Sequence, residues 1–157
     1  MELVYTFEER SNLDLQTIFL AGPTYRVKAR SKVKESWRQN AVNYLDKYGF
    51  TGSVVIPEYR GNKLPENWNL IDQVDWEVSF MRGADLIIFW IPRNMKSLPG
   101  LTTNIEFGEY LHSGKIFIGA PSEAVKNEYL IERCRRLHIP WYTDLEELVK
   151  TCVTTEV

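Results

Sequence analysis

The run Asp85–Ile91, DLIIFWI, constrains the fold of this chain more than any other stretch. Its unbroken apolar side chains leave no polar face, so a strand here must be covered on both sides. A parallel sheet flanked by helices supplies that environment. Thr17–Ala21 is a similar apolar run, ended by Gly22 and Pro23, and Ser53–Ile56 is closed by Pro57. Lys115–Ala120 makes a fourth strand and His138–Tyr142 a short fifth.

Helical patterns fill the intervals. From Ser36, the positions Trp37, Ala41, Tyr44, Leu45 and Tyr48 recur at helical spacing, and Gly49 supplies a stop. Ile71, Val74, Val78 and Met81 mark one apolar face of the next helix, interleaved with Asp75, Trp76 and Glu77. A helix beginning after Thr103 runs through Phe107, Tyr110 and Leu111 to Gly114; another covers 127–137, and a last one starts at Asp144. Residues 1–14 hold a β-like run, Leu3–Phe7, expected as an edge strand or an arm. Alternation of this kind predicts an α/β sandwich with a mainly parallel, five-stranded sheet, flavodoxin-like in its order 2-1-3-4-5, and helices on both faces. The expectation is one domain over residues 1–157, with its core in 17–150.

Charge and composition narrow the function. A net charge of −2 gives no reason to expect a nucleic acid polymer or an anionic membrane as partner. No apolar run reaches the roughly 20 residues that span a bilayer. The start, MELVYTFEER, lacks the basic segment and long apolar core of a signal peptide. Cys134 and Cys152 lie far apart, and His112 and His138 have no ligand spacing, so a cytoplasmic protein without a metal site is expected. Aromatic residues, 13% of the chain, are in excess and suit a core, a subunit interface or a flat ligand.

Ligands of such sheets bind beyond the carboxyl ends of the strands, where strand order reverses. The loops there begin at Gly22, Pro57, Pro92 and Ala120. Neither GxGxxG nor GxxxxGK[ST] nor G-x-S-x-G occurs, which removes dinucleotide, phosphate-loop and serine-elbow chemistries. Carboxylates and amides remain: Glu58, Asp75, Glu77, Asn104, Glu106 and Asn127. Paired acids suit glycosyl chemistry. Glu106, in PGLTTNIEFGEY, admits two readings: an ionised nucleophile near a helix N-terminus, or the acid of a Thr103-x-x-Glu106 capping box. The basic loop carrying Arg26 and Arg30 is either a solvated segment or an anion site.

Taken in order, IFLAGPTYR, SWRQNAVNYL, VVIPEYRG, DQVDWEVSFMRGADLIIFWIPR, GLTTNIEFGEYLHSGK and KNEYL resemble the nucleoside 2-deoxyribosyltransferase family in its type II-like branch, over about residues 17–150. The resemblance implies a flavodoxin-like enzyme that moves a 2-deoxyribosyl group from a deoxynucleoside donor to a free nucleobase acceptor, without metal or organic cofactor. It implies a retaining double displacement with Glu106 as nucleophile. Gly22 and Pro23 belong to the turn at the mouth. The base-contacting acid falls on Glu77, a glutamate where the prototypic enzymes have aspartate, with Asp75 as its rival. A second family aspartate has no counterpart; Thr102, Thr103 and Asn104 stand in its region. Phe19 takes the place of a tyrosine that orients the nucleophile, and cannot make that hydrogen bond. Asn127 matches an asparagine that reaches a neighbouring subunit's site, which implies a homo-oligomer. Two alternatives stand beside this reading. One is an N-glycoside hydrolase of nucleosides or 5′-nucleotides, with Arg26 and Arg30 holding phosphate. The other is a non-catalytic nucleoside- or nucleotide-binding module.

Overall fold

The computed structural model describes residues 1–25 and 36–155. Six strands form one parallel sheet: β1 (Glu2–Tyr5), β2 (Thr17–Ala21), β3 (Ser53–Ile56), β4 (Leu86–Trp90), β5 (Ile116–Gly119) and β6 (Trp141–Tyr142). Their order is β1-β3-β2-β4-β5-β6. The expected five-strand order is therefore present, and the edge beside β3 carries one strand more. Leu3 to Phe7, left open as strand or arm, contributes that strand: Glu2–Tyr5 pair in parallel with Ser53–Ile56. The fifth strand is shorter than expected, because His138 turns with φ +56° and only Trp141 and Tyr142 pair.

Alternate residues of the strands face opposite layers, as the pleat requires. Ile18, Leu20, Val54, Ile88 and Trp90 pack beneath α1 (Trp37–Lys47) and α5 (Leu145–Thr154). Phe19, Ala21, Val55, Ile87 and Phe89 pack on the other side, where α2 (Leu70–Gly83), α3 (Leu101–Tyr110) and α4 (Glu128–Arg136) lie. Every residue of β2 and β4 is buried, the condition that the run at Asp85–Ile91 imposes.

Helix starts follow local chemistry. The Ser36 hydroxyl accepts from Arg38 N at the start of α1, Asn69 caps α2 through Asp72 N, and Asp144 caps α5 through Glu147 N. Two expectations need correction. The apolar face assigned to α2 meets the core only in part: Met81 is buried and Val78 half-buried, but Ile71 is 73% exposed and Val74 46%, while Trp76 and Phe80 pack beside Met81. The helix at Glu106 begins at Leu101 rather than after Thr103, with Gly100 in a left-handed conformation at its cap and no side-chain cap bond. No Thr103–Glu106 capping box exists, because both residues lie inside the helix. Among the described residues, no helix is long and apolar enough to cross a membrane.

Close backbone approach fixes Gly119. A Cβ there would lie 2.2 Å from the Tyr142 carbonyl oxygen, inside the β5–β6 pair. Gly83, at the end of α2, has open space around it. Gly119→Ala should lower the unfolding free energy by about 1–3 kcal/mol, the range for forced overpacking. Gly83→Ala should raise it by about 0.4–1 kcal/mol, by restricting the unfolded chain. Urea titration of the two variants reads both signs.

Candidate active site

The carboxyl ends of β2 and β3 open into a cleft of about 350 Å³, a volume suited to a small organic ligand. Its walls are the β2 turn (Phe19, Ala21 to Thr24), the β3 end (Pro57 to Tyr59), α2 (Leu70, Gln73, Val74, Glu77) and the start of α3 (Pro99 to Thr102, with Glu106). Two glycines allow the walls to meet. Gly22 has φ +145°, and a Cβ there would lie 2.1 Å from the Trp90 carbonyl oxygen. Gly100 has φ +58°, and a Cβ there would press within 3.1 Å of Pro23. These contacts seat α3 against the β2 turn and bring Glu106 to the cleft.

Three described carboxylates line it, and their partners differ. Glu58 Oε1 accepts from Arg38 Nη1 at 2.8 Å and from the Ser36 hydroxyl at 2.6 Å. Glu77 Oε1 accepts from Gln73 Nε2 at 2.8 Å. The Gln73 amide is itself oriented, since its Oε1 accepts from the Tyr59 hydroxyl at 2.5 Å and Trp68 Nε1 at 2.8 Å. Among the described residues none donates a hydrogen bond to Glu106. Burial, with the like charge of Glu77, therefore pushes that carboxyl's pKa from 4.5 up to about 7; the charge of Arg38 opposes the rise. Glu77 is also raised, chiefly by burial, against the lowering effects of Gln73 and Arg38. Glu106 sits in the second turn of α3, so the favourable helix-dipole contact expected for a first-turn acid is absent.

The structure gathers Phe19, Gly22, Pro23, Glu77, Thr102 and Glu106 around one cleft. It does not bring the other expected residues there. Asp75 is exposed and outside the lining, whereas its rival Glu77 lines the cleft. Thr103 is buried within α3. Asn104 accepts from Arg93 Nη2 at 2.5 Å, away from the lining. Asn127 is buried, accepting from Arg93 Nε at 3.1 Å and donating to the Ile91 carbonyl at 3.1 Å. Arg26 and Arg30 lie outside the described residues.

Sequence reasoning missed Gln73 and Arg38. Gln73 could have been found four residues before Glu77, on the same helix face. Arg38 stands with Val42 and Leu45 at helical spacing, a charge placed on an apolar face. Among the described residues, no three His, Cys, Asp or Glu side chains gather as a metal site.

A family model described as nucleoside 2-deoxyribosyltransferase like matches residues 15–124. The chain belongs to this family. Among solved structures, the chain is similar to one described as the 2-deoxyribosyltransferase of Bacillus psychrosaccharolyticus, with 18% identity, a TM-score of 0.53, and coverage of 85% of this chain and 90% of that one. At that identity the likeness concerns the fold, which it places in the expected flavodoxin-like class. No curated protein sequence matches the chain. The family match spans every wall of the cleft, from the β2 turn to Glu106.

The raised Glu106 pKa carries a stability consequence. Folding holds the proton more tightly than the unfolded chain does, so the charged form is penalised once pH exceeds the unfolded value of 4.5. The penalty grows as pH rises to about 7 and is constant above it. Glu106→Gln should therefore stabilise the protein by about 3 kcal/mol at pH 8, with the gain vanishing at about pH 4. Urea unfolding across that range measures the difference; a gain independent of pH contradicts the burial account.

Proposed function

We propose that the protein is a nucleoside 2-deoxyribosyltransferase in which Glu106 is the nucleophile. The observation that carries this reading is the contrast among the cleft carboxylates. Glu58 and Glu77 are held by donors, whereas Glu106 faces the cleft with no hydrogen bond from a described residue. An acid so placed keeps its lone pairs for an electrophilic carbon.

In the first half-reaction the Glu106 carboxylate attacks C1′ of the donor through an oxocarbenium-like transition state. The C1′–N bond breaks, its electron pair leaves with the base, and an ester links C1′ to Glu106. Glu77 and Glu106 are coupled, and the reactive state is the one in which the pair holds one proton on Glu77, whose burial favours that form, so that Glu106 is ionised and Glu77 can give its proton to the departing base. A second base then attacks C1′, releases Glu106 and returns a proton to Glu77. The two inversions retain configuration. Phe19, at the floor of the cleft, adds apolar surface where the prototypic enzymes have a hydroxyl. Thr102 is the polar residue of the α3 start that reaches the lining, in the region of the missing second acid.

The glycosyl ester must be shielded from water for exchange to prevail over hydrolysis. Around the open cleft, Leu70, Val74 and Leu101 are exposed, and Ile71 and Ile105 are exposed on the same two helices. A second copy seated there would complete the enclosure, and the proposal includes a homo-oligomer. The contribution of Asn127 to a neighbouring site belongs to the same proposal; within its own chain it holds Arg93. The buried free thiols of Cys134 and Cys152 suit the reducing cytoplasm.

Incubation of deoxynucleosides with and without a second free base, followed by chromatography, tests the reading. Base exchange should occur, with kcat/KM falling at low pH around about 7, because attack requires the Glu106 carboxylate. Glu106→Ala should lose exchange by at least about 10³-fold. Free sugar formed equally with or without acceptor identifies a hydrolase, and binding without turnover in the wild type identifies a non-catalytic module.

A further inference from the structure

Arg38 is 1% exposed, yet it lines the cleft. Its guanidinium is spent on the walls. Nε donates to the Leu20 carbonyl at 2.9 Å, Nη2 to the Gly22 carbonyl at 2.6 Å, and Nη1 to Thr24 Oγ1 at 3.0 Å and Glu58 Oε1 at 2.8 Å. Three bonds, to alternate residues, thus hold the end of β2 and its turn, and the fourth ties them to the end of β3. The neighbouring residue extends the grip: Trp37 Nε1 donates to the Pro23 carbonyl at 3.1 Å, and Arg38 lies over the Trp37 ring at 4.6 Å.

We propose that Arg38, braced by Glu58, is a positioning residue for the reaction: it fixes the Gly22–Thr24 wall that lines the cleft with Glu106 and supplies positive charge that favours the Glu106 carboxylate. The inference rests on the Glu106 reading of the cleft. Arg38 is the only cation among the described lining residues, where Glu58, Glu77 and Glu106 are the acids and Tyr59 the remaining titratable group. From α3 itself Glu109 adds a further negative charge near Glu106. A cleft of this composition would resist ionisation of Glu106 more strongly without the guanidinium, since like charges in a partly dry site disfavour one another. Glu58 moderates the effect, because it neutralises part of the same charge. Arginine suits the place better than lysine: a planar fork can satisfy three wall oxygens and a carboxylate at once, and a single ammonium cannot.

Charge and geometry separate by substitution. The Glu106 side-chain carbon can be followed by 13C NMR during a pH titration, assigned by its disappearance in Glu106→Gln, so the readout needs no turnover. Arg38→Met should move its midpoint up by at least about half a pH unit, and Glu58→Gln should move it down. Arg38→Lys should leave the midpoint within about 0.3 of wild type while lowering kcat/KM for the donor roughly tenfold, through the loosened β2 turn. If Arg38→Met does not fold, Glu58→Gln and Arg38→Lys still decide the matter. An unmoved midpoint in Glu58→Gln, or full activity in Arg38→Lys, overturns the proposal. Failure of the Glu106 reading looks different: turnover then survives Glu106→Gln, whatever the titrations show.

Discussion

Burial of a guanidinium at the carboxyl edge of the sheet is the constraint on which the site depends. Parallel strands end with unpaired carbonyls, and those at Leu20 and Gly22 would otherwise face a cleft wall without donors. Arg38 meets both and pairs its charge with Glu58, so the ends of β2 and β3 cannot drift apart without exposing a buried ion pair. Everything opposite is built against that wall. Gly100 packs on Pro23, α3 starts there, and one and a half turns later Glu106 reaches the same space.

The electrostatics follow from the same packing. A carboxylate in the first turn of a helix is ionised cheaply, as the nucleophile reading of the sequence assumed. Glu106 lies deeper, where burial and Glu77 both favour the proton. The result is an acid poised near neutrality instead of a fully ionised cap. Folding stability is given up at the residue proposed to react, while Glu58, the fully braced acid, serves the frame. Gln73 divides the roles further by holding one oxygen of Glu77, with its own amide locked by Tyr59 and Trp68.

The sheet was legible in the sequence because buried parallel strands have no polar face, and the runs at Thr17–Ala21, Ser53–Ile56 and Leu86–Trp90 show none. The family was legible through motif order, and Glu106, Glu77, Gly22 and Pro23, picked out by the same motifs, line one cleft. The rest turned on tertiary facts. Periodicity placed Ile71 and Val74 inward, yet α2 turns Gln73 and Glu77 toward the cleft and leaves both apolar residues exposed, Val74 on the cleft wall and Ile71 outside it. The Thr103-x-x-Glu106 spacing resembled a cap only while the helix was taken to begin after Thr103; Gly100, left-handed at the cap, starts it at Leu101, three residues earlier. Asn104 and Asn127 share a buried partner, Arg93, which no local pattern announces. Arg38 went unnoticed for a similar reason: a charged side chain in a helix reads as solvated until its four bonds are seen.

The central claim is that the deoxyribosyl group passes through an ester with Glu106. A 2′-fluoro-substituted nucleoside donor, whose fluorine disfavours the oxocarbenium-like transition state of deglycosylation, should make that ester long-lived. Mass spectrometry of the intact protein after incubation should show one fluorinated glycosyl group per chain, and peptide mapping should place it on Glu106. Release of the label by an added nucleobase would show it to be competent. A label on Glu58 or Glu77, or base exchange proceeding from this donor with no covalent adduct, would contradict the account.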